Sequence, residues 1–345
     1  MTQRFDQRDS AEVPRAFWVT APATGEIRPA ELAEPGDDQP WVEVETLYTG
    51  VSRGTESLVY LGKIPASEYQ RMRAPFQMGE FPFPVCYGYA NVGRVIRGPE
   101  HLCGREVFTL FPHQTRFRVP AGAVHPLPAG VTAGRAVLAA NMETAVNGLW
   151  DASPRVGDRI AVIGCGVVGT LVAYLASRIP GTQVTAIDTD AGRLPLLDSL
   201  GVRFVTRCHD KDFDLVIHVS GHPDGLRTAM DLAGREARIV EMSWYGDQEV
   251  TLPLGGAFHA RRLKLCSSQV GTVSPAQAPR WDYGRRLQLA LSLLADPALD
   301  GLISGESPFD DLPRAMARLS QAGSGELCHR IIYPAATGAT GPESN

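Results

Sequence analysis

Three closely spaced glycines are the sequence feature whose chemistry is easiest to name: Gly164-Cys-Gly166-Val-Val-Gly169. An apolar run, Ile160–Ile163, precedes them, and an apolar segment with a helical composition follows. In a strand–turn–helix unit such glycines permit a tight turn, close approach of the backbone to a pyrophosphate, and close packing of the helix on the strand. The first turn of the helix supplies free N–H groups to the phosphates.

A carboxylate stands at the end of the next apolar run, Gln183–Ile187. This residue, Asp188, follows Gly169 by about 20 residues, the separation typical of a dinucleotide site. An acid there accepts hydrogen bonds from the adenine ribose and repels a 2′-phosphate, so the pattern predicts NAD(H) rather than NADP(H). Arg193 is close enough in sequence to modify that preference. The predicted cofactor contacts are Thr144, Gly164, Gly166, Val167, Val168, Gly169, Asp188, Arg193, Ser220, Ser243 and Ser268.

Two kinds of sequence pattern predict the elements that position these residues. Residues from about 13 to 130 form short strands between Gly/Pro turns, which predicts a β-rich region with few helices. From about 155 onwards compact apolar runs alternate with helical segments, which predicts a parallel sheet with crossover helices. We therefore expect an α/β protein: a Rossmann doubly wound parallel sheet at 149–279, and a β-rich domain made of 1–148 and 280–345. The expected strands are Trp41–Leu47, Ala90–Ile96, Glu106–Leu110, Thr115–Val119, Ile160–Ile163, Gln183–Ile187, Leu215–Val219, Ala237–Glu241, Leu263–Ser267 and Arg330–Tyr333, with late helices at Tyr283–Leu294 and Leu312–Gln321.

Composition excludes several classes of function. The 345 residues carry 38 acidic and 33 basic side chains, a formal charge of −5, and no long basic run, so nucleic-acid binding is not expected. The six cysteines are scattered without a CxxC motif, which fits a reducing cytosol. The polar N-terminus has no signal-peptide pattern, and we expect a cytoplasmic protein that does not bind membranes.

The order of a β-rich region, a Rossmann unit and a return segment resembles the medium-chain dehydrogenase/reductase (alcohol dehydrogenase-like) superfamily. The segment Ser52-Arg53-Gly-Thr55-Glu56 stands where that family has Cys-x-Thr-Asp, and Gly88-Tyr89-Ala90 stands where it has Gly-His-Glu. A Ser-x-Gly-Thr-Glu segment is similar to the zinc-lacking branch of bacteriochlorophyllide a dehydrogenase, which oxidises a hydroxyethyl side chain on a planar ring. The resemblance implies a GroES-like fold for the β-rich domain and a homodimer formed through the edge of the Rossmann sheet.

The family's zinc-ligand positions hold poor zinc ligands in this chain: Ser52 (or Arg53), Tyr89, and the neighbourhood of Ala140. A catalytic zinc site needs three Cys, His or carboxylate ligands and one open position. The four-cysteine structural lobe of the family is missing too, since only two of the six cysteines fall in that region. We therefore predict an enzyme that works without metal. The alternative is a weak site of Ser52, Tyr89 and Glu143.

Ordinary donors must then hold the substrate oxygen, because hydride transfer develops charge on it. The predicted catalytic residues are Ser52, Arg53, Thr55, Tyr89 and Glu143. In the family the hydroxyl after the catalytic Cys relays the proton, and Thr55 matches it. The Tyr89 phenol would act as an acid or donor if its pKa is lowered, and Arg53 would stabilise an alkoxide or a substrate carboxylate.

Structural roles are the alternatives for the same residues. Thr55 is a candidate N-cap for the helix that follows, Glu56 a candidate capping acid, and Tyr89 a candidate core aromatic. His113 either lines the pocket or lies in a turn. The expected function is interconversion of a secondary alcohol and a ketone on a small molecule, with a ring side chain as one substrate class. The two alternatives are an enoyl or quinone reductase using NAD(P)H and a non-catalytic dinucleotide-binding protein.

Overall fold

The computed structural model describes residues 13–34, 39–321, 323 and 325–334. The strands are β1 Arg15–Ala21, β2 Thr24–Pro29, β3 Trp41–Val51, β4 Met78–Gly79, β5 Val85–Cys86, β6 Asn91–Arg97, β7 Glu106–Thr109, β8 Arg116–Pro120, β9 His125–Pro126, β10 Arg159–Ile163, β11 Gln183–Ile187, β12 Arg203–Val205, β13 Phe213–His218, β14 Ala233–Glu241, β15 Lys264–Ser267, β16 Ile303–Pro308 and β17 Cys328–Ile332. The helices are α1 Arg53–Tyr60, α2 Ala133–Ala136, α3 Ala139–Ala152, α4 Val167–Ala176, α5 Leu194–Ser199, α6 Pro223–Leu232, α7 Tyr283–Ser292 and α8 Leu312–Leu319.

A six-stranded parallel sheet occupies the middle of the chain, in the order β12-β11-β10-β13-β14-β15. Its strands pair in parallel throughout, and the central strand β10 lies between β11 and β13. This order places the reversal of strand connection at the carboxyl end of β10, where dinucleotides bind in doubly wound folds. The predicted Rossmann sheet is confirmed, with helices α4 and α6 among its crossovers.

The remaining strands form two further sheets. The larger has seven strands in the order β16-β17-β3-β6-β7-β9, with β8 paired to β3, and the smaller has the order β2-β1-β5-β4. Strand β17 comes from the end of the chain and pairs antiparallel with β3. The mixed α/β class with a β-rich part is therefore as predicted. The domain boundaries at 148/149 and 279/280 stay a prediction.

Both late helices are shorter than predicted: α8 ends at Leu319, whereas the sequence predicted a helix to Gln321. The α-helix that begins at Tyr283 ends at Ser292 and continues as a 3-10 turn over Leu293–Ala295, whereas the sequence predicted a helix to Leu294. The 14-residue helix α3 is almost entirely buried and packs against α4 and α7. Among the described residues, no helix is both long and apolar enough to cross a membrane.

Candidate active site

A cleft of about 2510 Å³ runs along the carboxyl ends of the Rossmann strands and the adjoining face of the β-rich part. Every residue predicted from the sequence as catalytic or as a cofactor contact lines this one cleft. The two groups occupy different regions of it. The glycine turn and Asp188 form one region, and the residues around Ser52 and Tyr89 form the other.

Backbone geometry builds the glycine-turn region. Gly164 has a φ of 96°, and a methyl group on it would press against the backbone of Ser220. A methyl group on Gly169 would collide with the carbonyl oxygen of Gly164. At Gly166, by contrast, a methyl group would meet none of the described atoms within 4 Å. The turn is therefore tight on its inner side and open towards the cleft, which suits a phosphate approaching the N-terminus of α4.

Asp188 lies directly after β11 and ties this strand to the glycine turn. Its carboxylate accepts hydrogen bonds from the N–H of Cys165 at 2.6 Å and the N–H of Asp190 at 2.9 Å. A carboxylate has room for about four hydrogen bonds, so acceptor capacity remains for a ligand. Arg193 forms an ion pair with Asp190 at 3.3 Å between Nη2 and Oδ2. The guanidinium nearest to Asp188 in sequence is thus already partnered by an acid.

The second region begins where β3 passes into α1. Ser52 is the N-cap residue of α1, and Glu56 Oε1 accepts the Ser52 N–H at 2.7 Å. Glu56 therefore caps the helix, as one of the structural alternatives predicted. The predicted N-cap role of Thr55 is wrong, because Thr55 lies one turn inside α1. Its side chain and that of Ser52 both line the cleft.

Tyr89 reaches the same point from the segment just before β6. The N–H of Gly50 donates to the carbonyl of Ala90 at 2.9 Å, which sets Tyr89 beside the end of β3. Its hydroxyl forms hydrogen bonds with Ser52 and Thr55. Burial, reinforced by the negative charge of Glu56, raises the pKa of Tyr89 to about 12. The expectation that catalysis would lower this pKa is therefore corrected: the phenol stays neutral and is a hydrogen-bond donor, not a base.

Behind these hydroxyls lies a buried polar network that the sequence did not reveal. Glu56 Oε2 contacts His113 Nε2 at 2.8 Å, and His113 Nδ1 contacts Thr49 Oγ1 at 2.6 Å. The Thr49 hydroxyl continues to the Tyr333 hydroxyl at 3.2 Å. Glu56 and His113 are only 3% and 1% exposed. His113 thus lies at a bend, in line with the turn alternative, and its ring is a buried partner of the capping acid rather than part of the cleft wall.

Helix α3 contributes Asn141, which the sequence did not reveal, and Glu143, which the sequence predicted as catalytic. Asn141 Nδ2 donates to Ser52 Oγ at 3.3 Å, so an amide completes the group of hydroxyls. Glu143 borders the cleft, but its carboxylate is buried and bonded to Arg286 Nε at 3.0 Å. Burial raises the pKa of Glu143, and the guanidinium of Arg286 opposes that rise. This ion pair joins α3 to α7, which gives Glu143 a structural partner.

Arg53 faces the cleft between the two regions. Burial and the positive charge of Arg193 lower its pKa, while Glu326 acts in the opposite direction. An arginine remains charged despite such shifts. Two guanidinium groups, from α1 and from the segment after β11, therefore lie close enough to interact, and an anion between them would relieve their repulsion.

Two of the other predicted cofactor contacts have side-chain hydroxyls that are already hydrogen-bonded to neighbouring groups. Thr144 Oγ1 donates to the carbonyl of Ala140 at 2.9 Å, and Ser268 Oγ donates to Asp151 Oδ2 at 2.6 Å. Val167 and Val168 form the first turn of α4. These contacts fix the side chains at the cleft wall, and they leave the predicted cofactor roles untested.

The donor set does not suit zinc. Two of the positions that the resemblance assigns to zinc ligands hold the hydroxyls of Ser52 and Tyr89, and the third falls near Ala140, next to the amide of Asn141. Zinc takes thiolate, imidazole and carboxylate ligands instead. Within the part of the chain that the structure describes, no three His, Cys, Asp or Glu side chains cluster as a metal site would require. Glu143, the carboxylate of the alternative weak site, is bonded to Arg286.

Comparison with known proteins gives relatives of one kind. The chain is 26% identical over 242 residues to a 2-dehydro-3-deoxy-L-galactonate 5-dehydrogenase from Pseudoalteromonas atlantica, a match that covers 64% of this chain and 66% of that protein. It is 24% identical over 197 residues to a D-guloside 3-dehydrogenase from Escherichia coli, which covers 53% and 55% respectively. The chain thus spans between half and two thirds of these relatives. No family model matches it.

Solved structures agree over more of the chain. A short chain alcohol dehydrogenase from Escherichia coli CFT073, complexed with NADH, superimposes with a TM-score of 0.72 at 16% identity, covering 92% of this chain and 99% of that one. Such similarity at low identity establishes the fold alone. Together with the sheet order and the cleft, it gives this chain the two-part Rossmann and GroES-like fold of the medium-chain dehydrogenases/reductases.

Proposed function

We propose that this protein is a zinc-independent, NAD(H)-dependent oxidoreductase that interconverts a secondary alcohol and a ketone. The observation that carries the proposal is that the hydroxyls of Ser52, Thr55 and Tyr89 meet in one hydrogen-bonded group, where the resemblance places two zinc ligands and the proton relay. They share one cleft with a glycine turn that is open towards it. The curated relatives are dehydrogenases, and the NADH-bound neighbour supports the cofactor class.

The bound nicotinamide would supply the hydride acceptor or donor, and the protein would hold the substrate oxygen. Tyr89 is neutral and donates its O–H to that oxygen, where negative charge develops during ketone reduction. Ser52 and Thr55 hold the phenol in position, and Asn141 orients Ser52. Arg53 also lines the cleft and adds a fixed positive charge between its two regions.

Cofactor choice follows from the acids after β11. The carboxylates of Asp188 and Asp190 would repel a 2′-phosphate, and the ion pair with Asp190 occupies Arg193. We therefore propose NAD(H) as the preferred cofactor. A dehydrogenase structure from Sinorhizobium meliloti of the same fold was determined with NADP, at 16% identity and a TM-score of 0.73, so fold similarity does not decide this preference.

The substrate class is proposed from the cleft wall and the relatives. By their names, the two relatives described above act on a deoxy-galactonate and on a guloside. In this chain Tyr87 and Trp244 add aromatic surface to the cleft, which suits the ring side chain predicted from the resemblance. We also propose that two copies of the protein pair through the edge strand β15. Size-exclusion chromatography with light scattering tests this homodimer.

Turnover tests the proposal directly. Purified protein is mixed with NAD⁺ and a panel of polyols, sugar acids and 1-hydroxyethyl arenes, and NADH absorbance is followed; the reverse panel holds the ketones. We expect alcohol-dependent NADH formation with NAD⁺ preferred to NADP⁺. Reduction of enones or quinones by NADPH without alcohol turnover would contradict the proposal and favour the reductase alternative. Tight NADH binding without turnover on any panel member would favour the non-catalytic alternative.

A further inference from the structure

The buried imidazole of His113 lies behind the cleft and contacts both chain segments that carry its clustered hydroxyls. One segment is the start of α1, where Glu56 Oε2 lies 2.8 Å from His113 Nε2. The other segment leads into β6, where Gly88 packs against the same edge of the ring. Gly88 directly precedes Tyr89 in the chain. One ring therefore touches both arms of the hydroxyl group.

The ring is held from behind as well. Its Nδ1 lies 2.6 Å from Thr49 Oγ1 on β3, and the Thr49 hydroxyl lies 3.2 Å from the Tyr333 hydroxyl. The backbone carbonyl of His113 accepts the N–H of Phe17, on β1, at 2.9 Å. An imidazole has two ring nitrogens, and both are used here. The ring is therefore fixed in position and in orientation.

Glu56 carries the position of the ring to the first arm. Its other oxygen, Oε1, accepts the Ser52 N–H at 2.7 Å. The hydroxyls of Ser52 and Thr55 in turn hold the Tyr89 hydroxyl. A buried carboxylate oxygen without a partner is costly, so loss of the imidazole would displace this acid and the start of α1 with it.

Gly88 carries the position of the ring to the second arm. Its φ of 137° lies in the region that favours glycine. A methyl group on Gly88 would come within 3.0 Å of His113 Cδ2 and 3.2 Å of Nε2. The backbone that leads to Tyr89 therefore packs as closely against the ring as a glycine allows.

This network supports the hydroxyls and does not supply them with protons. Glu56 meets Ser52 through a backbone N–H, which does not ionise during turnover. His113 is buried behind the wall of the cleft, so it acts through its neighbours. Burial and then the charge of Glu56 raise the pKa of Tyr89 to about 12, so a fixed Glu56 also keeps the phenol protonated.

We propose that His113 is a positioning residue for hydride transfer, because its ring sets the start of α1 and the segment of Tyr89 relative to each other. This inference rests on the proposed oxidoreductase function and extends it to a side chain that does not touch the substrate. Without this support, the hydroxyls of Ser52 and Tyr89 would separate, and the substrate oxygen would meet a displaced donor.

Two amides in place of the imidazole test this role. In His113→Gln the side-chain nitrogen takes the place of Nε2 and still donates to Glu56. In His113→Asn the shorter amide takes the place of Nδ1 and does not reach Glu56. We expect kcat to fall about 100-fold in His113→Asn, because a small displacement of a catalytic donor has an effect of this size. In His113→Gln it should stay within about fivefold of wild type.

The rates are measured with NAD⁺ and the alcohol of the panel above that gives the highest turnover. KM for the alcohol and affinity for NADH should change less than about threefold in both variants, which separates lost positioning from lost binding. Asp300→Asn is the control for general destabilisation, because it weakens the ion pair with Arg135 away from the cleft. It should lower the melting temperature and leave kcat unchanged.

A spectroscopic signal gives a readout that does not depend on turnover. Protein labelled with [ζ-13C]tyrosine shows a ring-carbon signal for Tyr89, identified by its loss in Tyr89→Phe. This signal should match wild type in His113→Gln and shift in His113→Asn. Thr49→Val removes only the partner of Nδ1 and replaces His113→Asn if that variant does not fold. Its kcat should fall about five- to tenfold.

The outcomes separate the two proposals. A wild-type kcat in His113→Asn, or in Thr49→Val where it takes that place, would overturn the positioning role. Equal losses of kcat in His113→Asn and His113→Gln would overturn it too, since one of them keeps the donor to Glu56. No turnover by the wild type would overturn the proposed function itself, while an unshifted Tyr89 signal in His113→Asn would show independently that the ring does not set the phenol.

Discussion

The two regions of the cleft are built in different ways. In the first region the glycine turn is made by the backbone of one continuous segment, and its shape depends on the absence of side chains at Gly164 and Gly169. We call the second region, around Ser52 and Tyr89, the hydroxyl region. Its side chains come from the junction of β3 and α1, from α1 and α3, and from the segment before β6. A site built from backbone atoms tolerates few substitutions, so its binding function stays the same. A side-chain site can exchange its chemistry at a few positions while the fold stays the same.

Tyr89→Phe tests the hydroxyl region and should have the largest effect. Loss of one preorganised donor to a developing oxyanion should lower kcat about 100- to 1000-fold. NADH affinity should stay within about twofold, since the glycine turn is untouched. Stopped-flow reduction and fluorescence titration measure the two quantities. The control is Tyr60→Phe, which removes a hydroxyl bonded to the Ala23 carbonyl on the same helix as Thr55. A kcat equal to wild type would remove Tyr89 from the reaction.

A matched pair of alanines tests the glycine-turn region. Gly166→Ala should leave the melting temperature nearly unchanged and weaken NADH binding about tenfold or more, because the new methyl points into open space where a pyrophosphate would lie. Gly169→Ala should lower the free energy of unfolding by about 1–3 kcal/mol, because its methyl meets the Gly164 carbonyl. Calorimetry measures both effects. If both variants lost stability and NADH affinity to the same extent, this description of the turn would be contradicted.

Asp188→Asn tests whether the acid in the same region selects NADH over NADPH. The amide retains one acceptor oxygen but loses the charge, so NADH affinity should fall about tenfold and discrimination against NADPH should shrink. The paired affinities for NADH and NADPH give the result. Asp198→Asn, an exposed substitution on α5, serves as the control. Discrimination that survives in Asp188→Asn would show that this acid does not read the ribose.

Of these effects, the contribution of Tyr89 to the pH dependence of the ketone-reduction rate should be the smallest. Because the pKa of Tyr89 is raised to about 12, the donor stays protonated as pH rises past the ordinary tyrosine value of about 10. The rate of ketone reduction should therefore show no Tyr89-dependent loss up to about pH 10. Initial rates for wild type and Tyr89→Phe across the alkaline range provide the test. A fall near neutral pH that disappears in Tyr89→Phe would mean that the phenol loses its proton there, which would contradict its raised pKa.

The difference between the regions also explains what the sequence could predict. The glycines and Asp188 belong to one local pattern with a fixed meaning, so the Rossmann sheet, its strand runs and this end of the cleft could be predicted. The positions of Ser52 and Tyr89 came from a family resemblance, and the structure brings them together. Asn141 could not be found, because its contact with Ser52 spans 89 residues and follows no sequence spacing.

Buried networks were the least predictable part. His113 joins Glu56 and Thr49 across 57 and 64 residues of chain, and a histidine next to a proline reads as a turn residue. The pairing of His218 with Glu241 follows from strand register, which the sequence does not state. The sequence predicts Glu143 as one of the catalytic residues. Its partner Arg286 lies 143 residues away on α7, so only the fold shows the ion pair.

Elemental analysis tests the central claim most directly, since that claim is that hydroxyl donors hold the substrate oxygen in place of a metal. Protein expressed with zinc in the medium and dialysed against a chelator is measured by mass spectrometry of its metals, alongside its NADH affinity and turnover. We predict no stoichiometric zinc, with affinity and turnover unchanged by the dialysis. One full equivalent of zinc per chain, retained through dialysis and required for turnover, would contradict the account.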